Sequence, residues 1–445
     1  MSTAYLRCIE ESCREQFPLD HKEHNCERCG SLLDVHYDFR AVHPLDPALD
    51  AGRTDVLDPR ALRQIWEHRK NSSAVIDQSG VWRFRELLPF VPAGREIVSL
   101  SEGRTPLVDV TRTGDWAGGV QLAVKHQGNN PTGSFKDLGM TACITQAAAV
   151  GSRVTACAST GNTSASMAAY AARAGMKAVV FVPYGKISAA KMAQAIEFGA
   201  VVIEIGDNFD QAFQMLRSLT QEMGLYLVNS LNPFRLEGQK TILMEILEQR
   251  DWRLPDYIAV PGGNLGNVSA IGKGLAELQE VGLIDKLPQL VVVQAQGANP
   301  FYEMLATGAS DIVPVPLPHT EASAIRIGNP VNWKKALRAI RLTHGYCESV
   351  TDDQIFAAKA ALARDGVGCE PASAASIAGI RKLVQARVIE PGADVVAILT
   401  GHQLKDPEIF LQHRSEEDLS RQKLHVEADQ EKLRAAIEGV LLQSA

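Results

Sequence analysis

Short apolar runs alternate with alanine-rich segments between about residue 95 and residue 400 of the chain. Six of the runs have the length and composition of buried strands, and they span residues 154–158, 178–182, 201–205, 257–260, 290–293 and 395–399. The alanine-rich segments between them have the composition of helices. Because buried strands that alternate with helices form mostly parallel sheets covered on both faces, the pattern predicts an α/β fold.

Two flanking regions depart from this pattern. Residues 41–95 combine an amphipathic run through Ile65 and Trp66 with proline-containing turns, which predicts a connecting region of helices and turns. Beyond Pro407 the chain becomes charged, and residues 428–442 place their apolar side chains on one helical face. We therefore expect the chain to finish in a helical tail.

Composition narrows the classes of function. The chain has 445 residues, of which 45% are hydrophobic and 22% charged, as in an ordinary globular protein. Its net charge of -7 argues against nucleic acid as the main partner, because phosphate contacts need a basic face. We find no run of about 18 apolar residues to span a membrane, and the first residues lack the layout of a signal peptide. These features predict a cytoplasmic protein.

Four of the eight cysteines cluster near the start of the sequence, at Cys8, Cys13, Cys26 and Cys29. Two close pairs separated by a short loop suit four thiolates that converge on one tetrahedral ion, so the spacing predicts structural zinc. The alternatives are reduced cysteines without metal, or a disulfide in an oxidising compartment. A site with four protein ligands leaves no open position, which makes it a structural and not a catalytic metal site.

The turn from Asn129 to Asp137 contains a candidate catalytic lysine, Lys136. A lysine at the start of a helix lies near the positive end of the helix dipole, which lowers the pKa of the amine and favours its nucleophilic form. Lysine is the side chain that forms Schiff bases with carbonyls and with pyridoxal phosphate. The alternative is a surface lysine near a helix N-terminus.

Ligands of open parallel sheets lie beyond the carboxyl ends of the strands, and three loops at such positions are rich in polar or small residues. The segment 158–166 offers hydroxyls and backbone N–H groups to an anion such as a carboxylate, although simple N-capping would use one of them.

The second loop, Pro261 to Asn267, is rich in glycine and precedes a helix, which suits a phosphate group; the alternative is a tight turn without a ligand. The third loop, Leu399 to His402, places the hydroxyl of Thr400 where it can bond a heterocycle nitrogen. A threonine carries no charge with which to hold a pyridinium, so the ring would be a weaker electron sink.

Taken in order, these motifs resemble the threonine synthase family of fold type II pyridoxal-phosphate enzymes. The resemblance runs from about residue 97 to residue 407 and rests on the segments 130–137, 159–164, 229–235, 261–267, 324–330 and 399–402. The cysteine cluster also resembles the N-terminal segment of many family members. The resemblance implies a two-domain architecture like that of the tryptophan synthase β subunit, and often a homodimer.

The resemblance also implies roles for individual residues. Lys136 would bond covalently to pyridoxal 5'-phosphate, Asn162 would bond its ring hydroxyl, and Thr400 would face its pyridine nitrogen. The cofactor phosphate would bind to Gly263, Asn264, Leu265, Gly266 and Asn267. The substrate carboxylate would bind to Ser159, Thr160 and Thr163, and the substrate phosphate to Asn229, Ser230 and Arg235. The implied reaction converts O-phospho-L-homoserine and water to L-threonine and phosphate.

Two positions depart from the family pattern. Leu138 stands where an arginine is usual and Gln403 where a glycine is usual, which bears on substrate preference and not on the cofactor.

Two rival functions stay open. A serine/threonine dehydratase or a cysteate-synthase-like enzyme would share Lys136 and the phosphate loop. A zinc-ribbon protein that binds nucleic acid would explain the cysteines, but the acidic composition opposes it.

The predicted organisation has five parts. Residues 1–40 form a zinc-ribbon-like segment and residues 41–95 a connecting helical region. Residues 96–138 and 241–415 form a large cofactor-binding domain, residues 139–240 a smaller α/β domain, and residues 416–445 the helical tail.

Overall fold

A computed structural model describes residues 4–39, 58–91, 94–159, 161–184, 189–206, 222–412 and 425–443. Thr160 and much of the predicted boundary regions, residues 40–57 and 413–424, therefore lie outside the described residues. The chain as far as Lys405 forms one compact unit and the chain from Asp406 onward a second, whose described residues include two helices.

The strands of the described residues belong to three sheets. Their bounds are β1 (Ala4–Cys8), β2 (Gln16–Phe17), β3 (Leu33–Tyr37), β4 (Leu107–Asp109), β5 (Gln121–His126), β6 (Val154–Ala158), β7 (Lys177–Pro183), β8 (Val201–Ile205), β9 (Tyr226–Leu227), β10 (Tyr257–Pro261), β11 (Gln289–Ala295), β12 (Tyr346–Val350) and β13 (Asp394–Leu399).

Helices connect and cover these strands. Their bounds are α1 (Pro59–Lys70), α2 (Thr111–Trp116), α3 (Lys136–Ala149), α4 (Asn162–Arg173), α5 (Ala189–Glu197), α6 (Phe234–Gln239), α7 (Thr241–Gln249), α8 (Gly266–Glu280), α9 (Pro300–Thr307), α10 (Trp333–Thr343), α11 (Asp352–Arg364), α12 (Pro371–Gln385), α13 (Pro407–Gln412) and α14 (Gln430–Gln443). Among the described helices, none has the length and apolar content needed to cross a bilayer.

The largest sheet has six strands in the order β12-β11-β10-β13-β5-β4. All neighbours are parallel except the edge strand β4, which pairs antiparallel with β5. A second sheet is parallel throughout, in the order β8-β7-β6-β9. The small N-terminal sheet, β2-β1-β3, is antiparallel. The predicted α/β class with mostly parallel sheets is confirmed.

All six apolar runs predicted as strands are strands. Five of them are largely buried and need no polar alternation, whereas the edge strand β8 keeps Val201 and Ile203 exposed. The strands β5 and β12 were not predicted. Each carries charged or polar residues inside the strand, such as Lys125 in β5 and Glu348 in β12, which interrupt the apolar run. Lys125 is nevertheless fully buried, because Glu245 pairs with its ammonium at 2.7 Å.

In the described part of residues 41–95, helices alternate with turns. Helix α1 begins after Asp58, whose carboxylate accepts a hydrogen bond from the N–H of Arg60, with a proline at the first helical position. Two short 3-10 helices, Val75–Gln78 and Trp82–Leu87, follow. The buried rings of Trp66 and Trp82 anchor this region in the same apolar core as the N-terminal sheet.

Candidate active site

Three of the predicted loops meet because they follow three neighbouring strands. The lysine turn follows β5, Thr400 follows β13 and the glycine-rich loop follows β10, and these strands lie side by side in the order β10-β13-β5. Parallel strands end at the same edge of their sheet, which brings the three loops together. The loops that contain Ser159 and Asn229 follow β6 and β9, which are neighbours in the smaller sheet.

The lysine turn is held to the end of β13 by its backbone. The N–H of Phe135 donates to the carbonyl of Thr400 at 2.9 Å, and the N–H of His402 donates to the carbonyl of Gly133 at the same distance. Gly133 has a φ of 84°, which a residue with a side chain rarely adopts. Lys136 is the first residue of α3, and its ammonium lies 4.0 Å from the centre of the Phe135 ring.

Lys136 has a pKa lowered to about 7, chiefly by desolvation and then by the positive charge of Arg235, while the carboxylate of Glu370 opposes the shift. The shift has the direction expected from the sequence, and burial is its largest cause. Near neutral pH a large share of the amine is therefore unprotonated and able to act as a nucleophile or a base.

A buried carboxylate links the two residues predicted to hold the cofactor ring. Glu370 accepts a hydrogen bond from Nδ2 of Asn162 at 2.9 Å and another from Oγ1 of Thr400 at 2.9 Å. Ser373 orients the same strand end, because its Oγ accepts from the N–H of Thr400 at 2.8 Å. A side chain at Gly401 would collide with the Glu370 carboxylate, which explains the glycine of the Thr400–His402 segment.

The glycine-rich loop has the features of a phosphate site. Leu265 precedes α8 in a left-handed conformation with a φ of 61°, and α8 then begins at Gly266. The first N–H groups of a helix have no partners within it, so they are available to an anion. Both polar atoms of the Asn267 amide are buried without a hydrogen-bond partner. A bound phosphate would accept from the Nδ2 group of Asn267 and from the N–H groups at the start of α8, and the loop therefore fits the predicted role.

Arg235, in α6, is 2% exposed, and its Nη1 donates to the carbonyl of Val228 at 3.1 Å. Among the residues that the structure describes, no carboxylate pairs with this guanidinium, and its Nε has no acceptor. The nearby Glu237 instead accepts from Tyr37 and pairs with Lys240 and Lys273. A buried cation without a carboxylate is costly unless an anionic ligand binds it.

The loop after β9 is joined to both of its neighbours. The Asn229 amide bonds both backbone groups of Ala158, at 3.2 Å to the N–H and 3.1 Å to the carbonyl. Asn332 donates from Nδ2 to the carbonyl of Ser230 at 2.9 Å, and its backbone N–H donates to the carbonyl of Asn264 at 3.3 Å. The predicted substrate loop thereby contacts both the loop after β6 and the glycine-rich loop.

The loop after β6 and the start of α4 carry several hydroxyls, some of which donate hydrogen bonds within the protein. Ser164 donates to the carbonyl of Gly161 at 2.8 Å, and Ser166 donates to Asp137 at 2.6 Å. Ser159 is half-buried, and its Oγ accepts only a 3.4 Å bond from the N–H of Gly161 among the described contacts. Thr163 is buried in the first turn of α4. Thr160 lies outside the described residues.

The four N-terminal cysteines form a cluster whose sulfur atoms all lie within 4.8 Å of one another. The shortest separations are 3.4 Å between Cys8 and Cys29 and 3.7 Å between Cys13 and Cys26. A tetrahedral zinc ion with Zn–S bonds of about 2.3 Å holds its sulfur atoms about 3.8 Å apart. The cluster can therefore bind a zinc ion.

The side chains at the two positions that depart from the family pattern, Leu138 and Gln403, have contacts away from the candidate active-site residues described above. Leu138 is 1% exposed and belongs to the apolar core. Gln403 begins the 3-10 helix Gln403–Lys405, and its side chain packs against Gly368.

Two residues of the site, Glu370 and Asn332, were not predicted. Glu370 precedes Pro371 at the start of a helix, so the sequence presents it as a helix-capping acid. Its partner Asn162 lies 208 positions away in the chain, a separation that no local pattern reveals. Asn332 lies two positions after the segment 324–330, which is one of the segments that carry the family resemblance. That proximity is the feature of the sequence that could have indicated its place in the site.

The sequence matches the family model described as pyridoxal-phosphate dependent enzyme over residues 98–401. It is 46% identical over 411 residues to a threonine synthase of Methanocaldococcus jannaschii, a match that covers 92% of this chain and 95% of the relative. It is 44% identical to a threonine synthase of Methanosarcina acetivorans, over 98% of this chain and 99% of the relative.

Solved structures of low sequence identity share the fold. Maize serine racemase superimposes with a TM-score of 0.60 at 21% identity, over 70% of this chain and 91% of that one. A threonine deaminase from Solanum lycopersicum gives a TM-score of 0.60 at 20% identity, over 71% of this chain and 89% of that one. At such identity the likeness concerns the fold alone.

Proposed function

Because the chain belongs to the threonine synthase family of pyridoxal-phosphate-dependent enzymes, we propose that it converts O-phospho-L-homoserine and water to L-threonine and phosphate, with Lys136 as its catalytic base. The observation that carries this proposal is the pairing of a low-pKa lysine with a buried arginine. Arg235 lowers the pKa of Lys136 and has no carboxylate partner among the described residues. An amine base beside a buried guanidinium suits a substrate that carries a phosphate leaving group.

Lys136 has to move protons at more than one carbon of the substrate. Bound pyridoxal phosphate supplies an electron sink that stabilises negative charge on the substrate carbons. Two protons leave the substrate, from the α and β carbons, while the γ C–O bond breaks and its electron pair departs with phosphate. Two protons return, one to the γ carbon and one to the α carbon, and water adds its hydroxyl at the β carbon and gives its remaining proton to the released phosphate. The neutral amine of Lys136 would be the group that exchanges these protons with the substrate. A long, flexible side chain with a pKa near 7 suits these successive transfers.

Asn162 and Thr400 would hold the cofactor ring, and Glu370 fixes the direction of their hydrogen bonds. The Thr400 hydroxyl donates to Glu370, which leaves its lone pairs for a proton-bearing ring nitrogen. The Glu370 carboxylate thus supplies, through one hydroxyl, the negative charge that threonine lacks. Gly263, Asn264, Leu265, Gly266 and Asn267 would hold the cofactor phosphate.

Substrate binding is divided between the two loops of the smaller sheet. Ser159, Thr160 and Thr163 would bind the carboxylate, and Arg235 with the loop of Asn229 and Ser230 would bind the phosphate. Because the Asn229 amide is bonded to Ala158, that residue contributes by joining the two loops. We further propose that the cysteine cluster holds structural zinc, that the enzyme is a homodimer, and that it is cytoplasmic.

The test is a substrate comparison with purified enzyme. We expect a visible absorbance band from the bound cofactor, which sodium borohydride abolishes, and release of phosphate and L-threonine from O-phospho-L-homoserine. Threonine, serine and O-phosphoserine should be turned over at least about 100-fold less efficiently, because none places a phosphate at the γ position. Efficient deamination of serine or threonine, with little phosphate released from phosphohomoserine, would show that the enzyme is a dehydratase.

A further inference from the structure

The N-terminal cysteine module, defined here as residues 4–39, contacts the proposed substrate loop directly. Nε2 of His24 lies 2.9 Å from the carbonyl oxygen of Leu227 and 3.1 Å from Nδ2 of Asn232. His24 is 5% exposed and stands two positions before Cys26 of the thiol cluster. Its own carbonyl accepts from the N–H of Leu33 at 3.0 Å, which fixes it to β3.

Asn232 passes this contact on to the helix that carries Arg235. Its Oδ1 accepts from the N–H of Phe234 at 3.0 Å, and its Nδ2 donates to the carbonyl of Leu227 at 2.9 Å. The next residue after Leu227 is Val228, whose carbonyl accepts from Arg235. The imidazole of His24 therefore touches both ends of the turn that sets the position of the guanidinium.

A second contact holds the same helix from the other side. The hydroxyl of Tyr37, in β3, donates to Glu237 at 2.6 Å, two positions after Arg235. Lys273, in α8, pairs with Glu237 and bonds the carbonyl of Val35 in β3. Two independent sets of hydrogen bonds thus connect the cysteine module with α6. Both would shift if the module lost its shape.

We propose that the cysteine module positions the proposed substrate-phosphate site, with His24 as a positioning residue that sets the placement of Arg235 through Asn232. The inference rests on the proposed function, which assigns the phosphate to Arg235. It predicts that the state of the four thiols controls affinity for a phosphate-bearing substrate. The absorbance of the bound cofactor should change little, because Asn162 and Thr400 are held by hydrogen bonds to Glu370.

The test compares phosphate binding by the holoenzyme and its variants. Inorganic phosphate is titrated by calorimetry, and KM and kcat for phosphohomoserine are measured with the cofactor absorbance. We expect His24→Leu to weaken phosphate binding about tenfold and to raise KM more than it lowers kcat, with the absorbance unchanged. His24→Gln, which supplies an amide N–H in place of the imidazole nitrogen, should stay within about threefold of the wild type. The matched control is His36→Leu, since His36 stacks on Tyr5 within the module, and it should bind phosphate as the wild type does.

Arg235→Ala separates the two hypotheses. If this variant binds phosphate as tightly as the wild type, the proposed phosphate site is wrong. If it loses phosphate affinity while His24→Leu retains it, the phosphate site stands and the positioning role is overturned. An equal loss in His24→Leu and His36→Leu would also overturn it, because the effect would then come from general damage to the module.

Should His24→Leu fail to fold, Tyr37→Phe tests the same inference, since it removes one hydroxyl and leaves the ring in place. We expect phosphate binding to weaken about threefold in this variant, with an unchanged cofactor band. Wild-type affinity in Tyr37→Phe would overturn the inference.

Discussion

The cofactor side and the anion side of the site differ in how their polar atoms are satisfied. On the cofactor side, Asn162 and Thr400 are both bonded to the carboxylate of Glu370. On the anion side, the Nε of Arg235 and the amide of Asn267 are buried without partners. Unsatisfied buried donors are costly, and phosphate oxygens are acceptors that could satisfy the Nε–H of Arg235 and the Nδ2 group of Asn267. The cofactor side is ordered by the protein itself, and its geometry depends on one unpredicted residue.

Removal of Lys136 tests the residue whose pKa is influenced from both sides, by Arg235 and by Glu370. Lys136→Ala should lower kcat by about 10⁴-fold, because it removes both the covalent attachment of the cofactor and the base. The visible band that borohydride abolishes should disappear, and the far-ultraviolet circular dichroism should match that of the wild type. Near-normal turnover in this variant would contradict the assignment of the catalytic residue.

Arg235→Ala acts on the anion side. Loss of a charge-assisted contact in a desolvated site should cost roughly 2 to 4 kcal/mol of transition-state binding, or about 30-fold to 1000-fold in kcat/KM for phosphohomoserine. The kcat/KM of Arg235→Lys should fall between those of the wild type and Arg235→Ala, because an ammonium supplies charge without the bidentate geometry. Arg83→Ala is the control, since Arg83 is an equally buried arginine that pairs with Glu248. Arg83→Ala should lower the melting temperature and leave KM unchanged. If Arg235→Ala instead lowers the melting temperature and leaves KM unchanged, the role of Arg235 is structural.

Glu370→Gln acts on the cofactor side and should sharpen the contrast. An amide presents one acceptor and one donor where the carboxylate presents two acceptors, so if its oxygen keeps the bond from Asn162, the Thr400 hydroxyl has to accept where it now donates. That reversal uses a lone pair of Thr400 that would otherwise face the cofactor ring. We expect the affinity of the apoenzyme for pyridoxal phosphate to fall about tenfold, measured by absorbance titration. Phosphate binding by the holoenzyme should not change. Glu348→Gln, which alters a carboxylate paired with Lys382, should leave both affinities as they are.

The two sides should also shift the titration of Lys136 in opposite directions. Only the neutral amine reacts with pyridoxal phosphate, and the pKa of Lys136 is lowered to about 7. The rate at which the apoenzyme takes up the cofactor should therefore rise with pH and level off above about 8, and at pH 6 it should be about tenfold below the plateau. Arg235→Ala removes a positive neighbour and should move the midpoint up, whereas Glu370→Gln removes a negative one and should move it down. Equal midpoints in all three proteins would mean that burial alone sets this pKa.

The sequence predicts the parts of the site that are local and misses those that depend on distant contacts. Buried parallel strands are continuous apolar runs, so β6, β10 and β13 and the polar loops after them could be recognised. Strand β5, which leads to the lysine turn, was missed because the charge of Lys125 breaks its pattern and is neutralised only in the fold. The start of α3 predicted the direction of the pKa shift of Lys136, whereas its largest cause, burial, and the next, the charge of Arg235, depend on the fold.

The smallest effect on turnover is expected at the cysteine cluster, which lies on neither side of the comparison. A site of four converging thiolates predicts about one zinc ion per chain, and Cys26→Ser should lower that content and the melting temperature together. Because the cluster would act on the anion side only by way of residues such as His24, kcat at saturating substrate should fall less than about threefold and the cofactor band should not move. Cys143→Ser is the control, since that buried thiol lies outside the cluster, and it should retain the metal. Active wild-type enzyme that contains no metal and four titratable N-terminal thiols would show that the cluster holds its shape by packing alone.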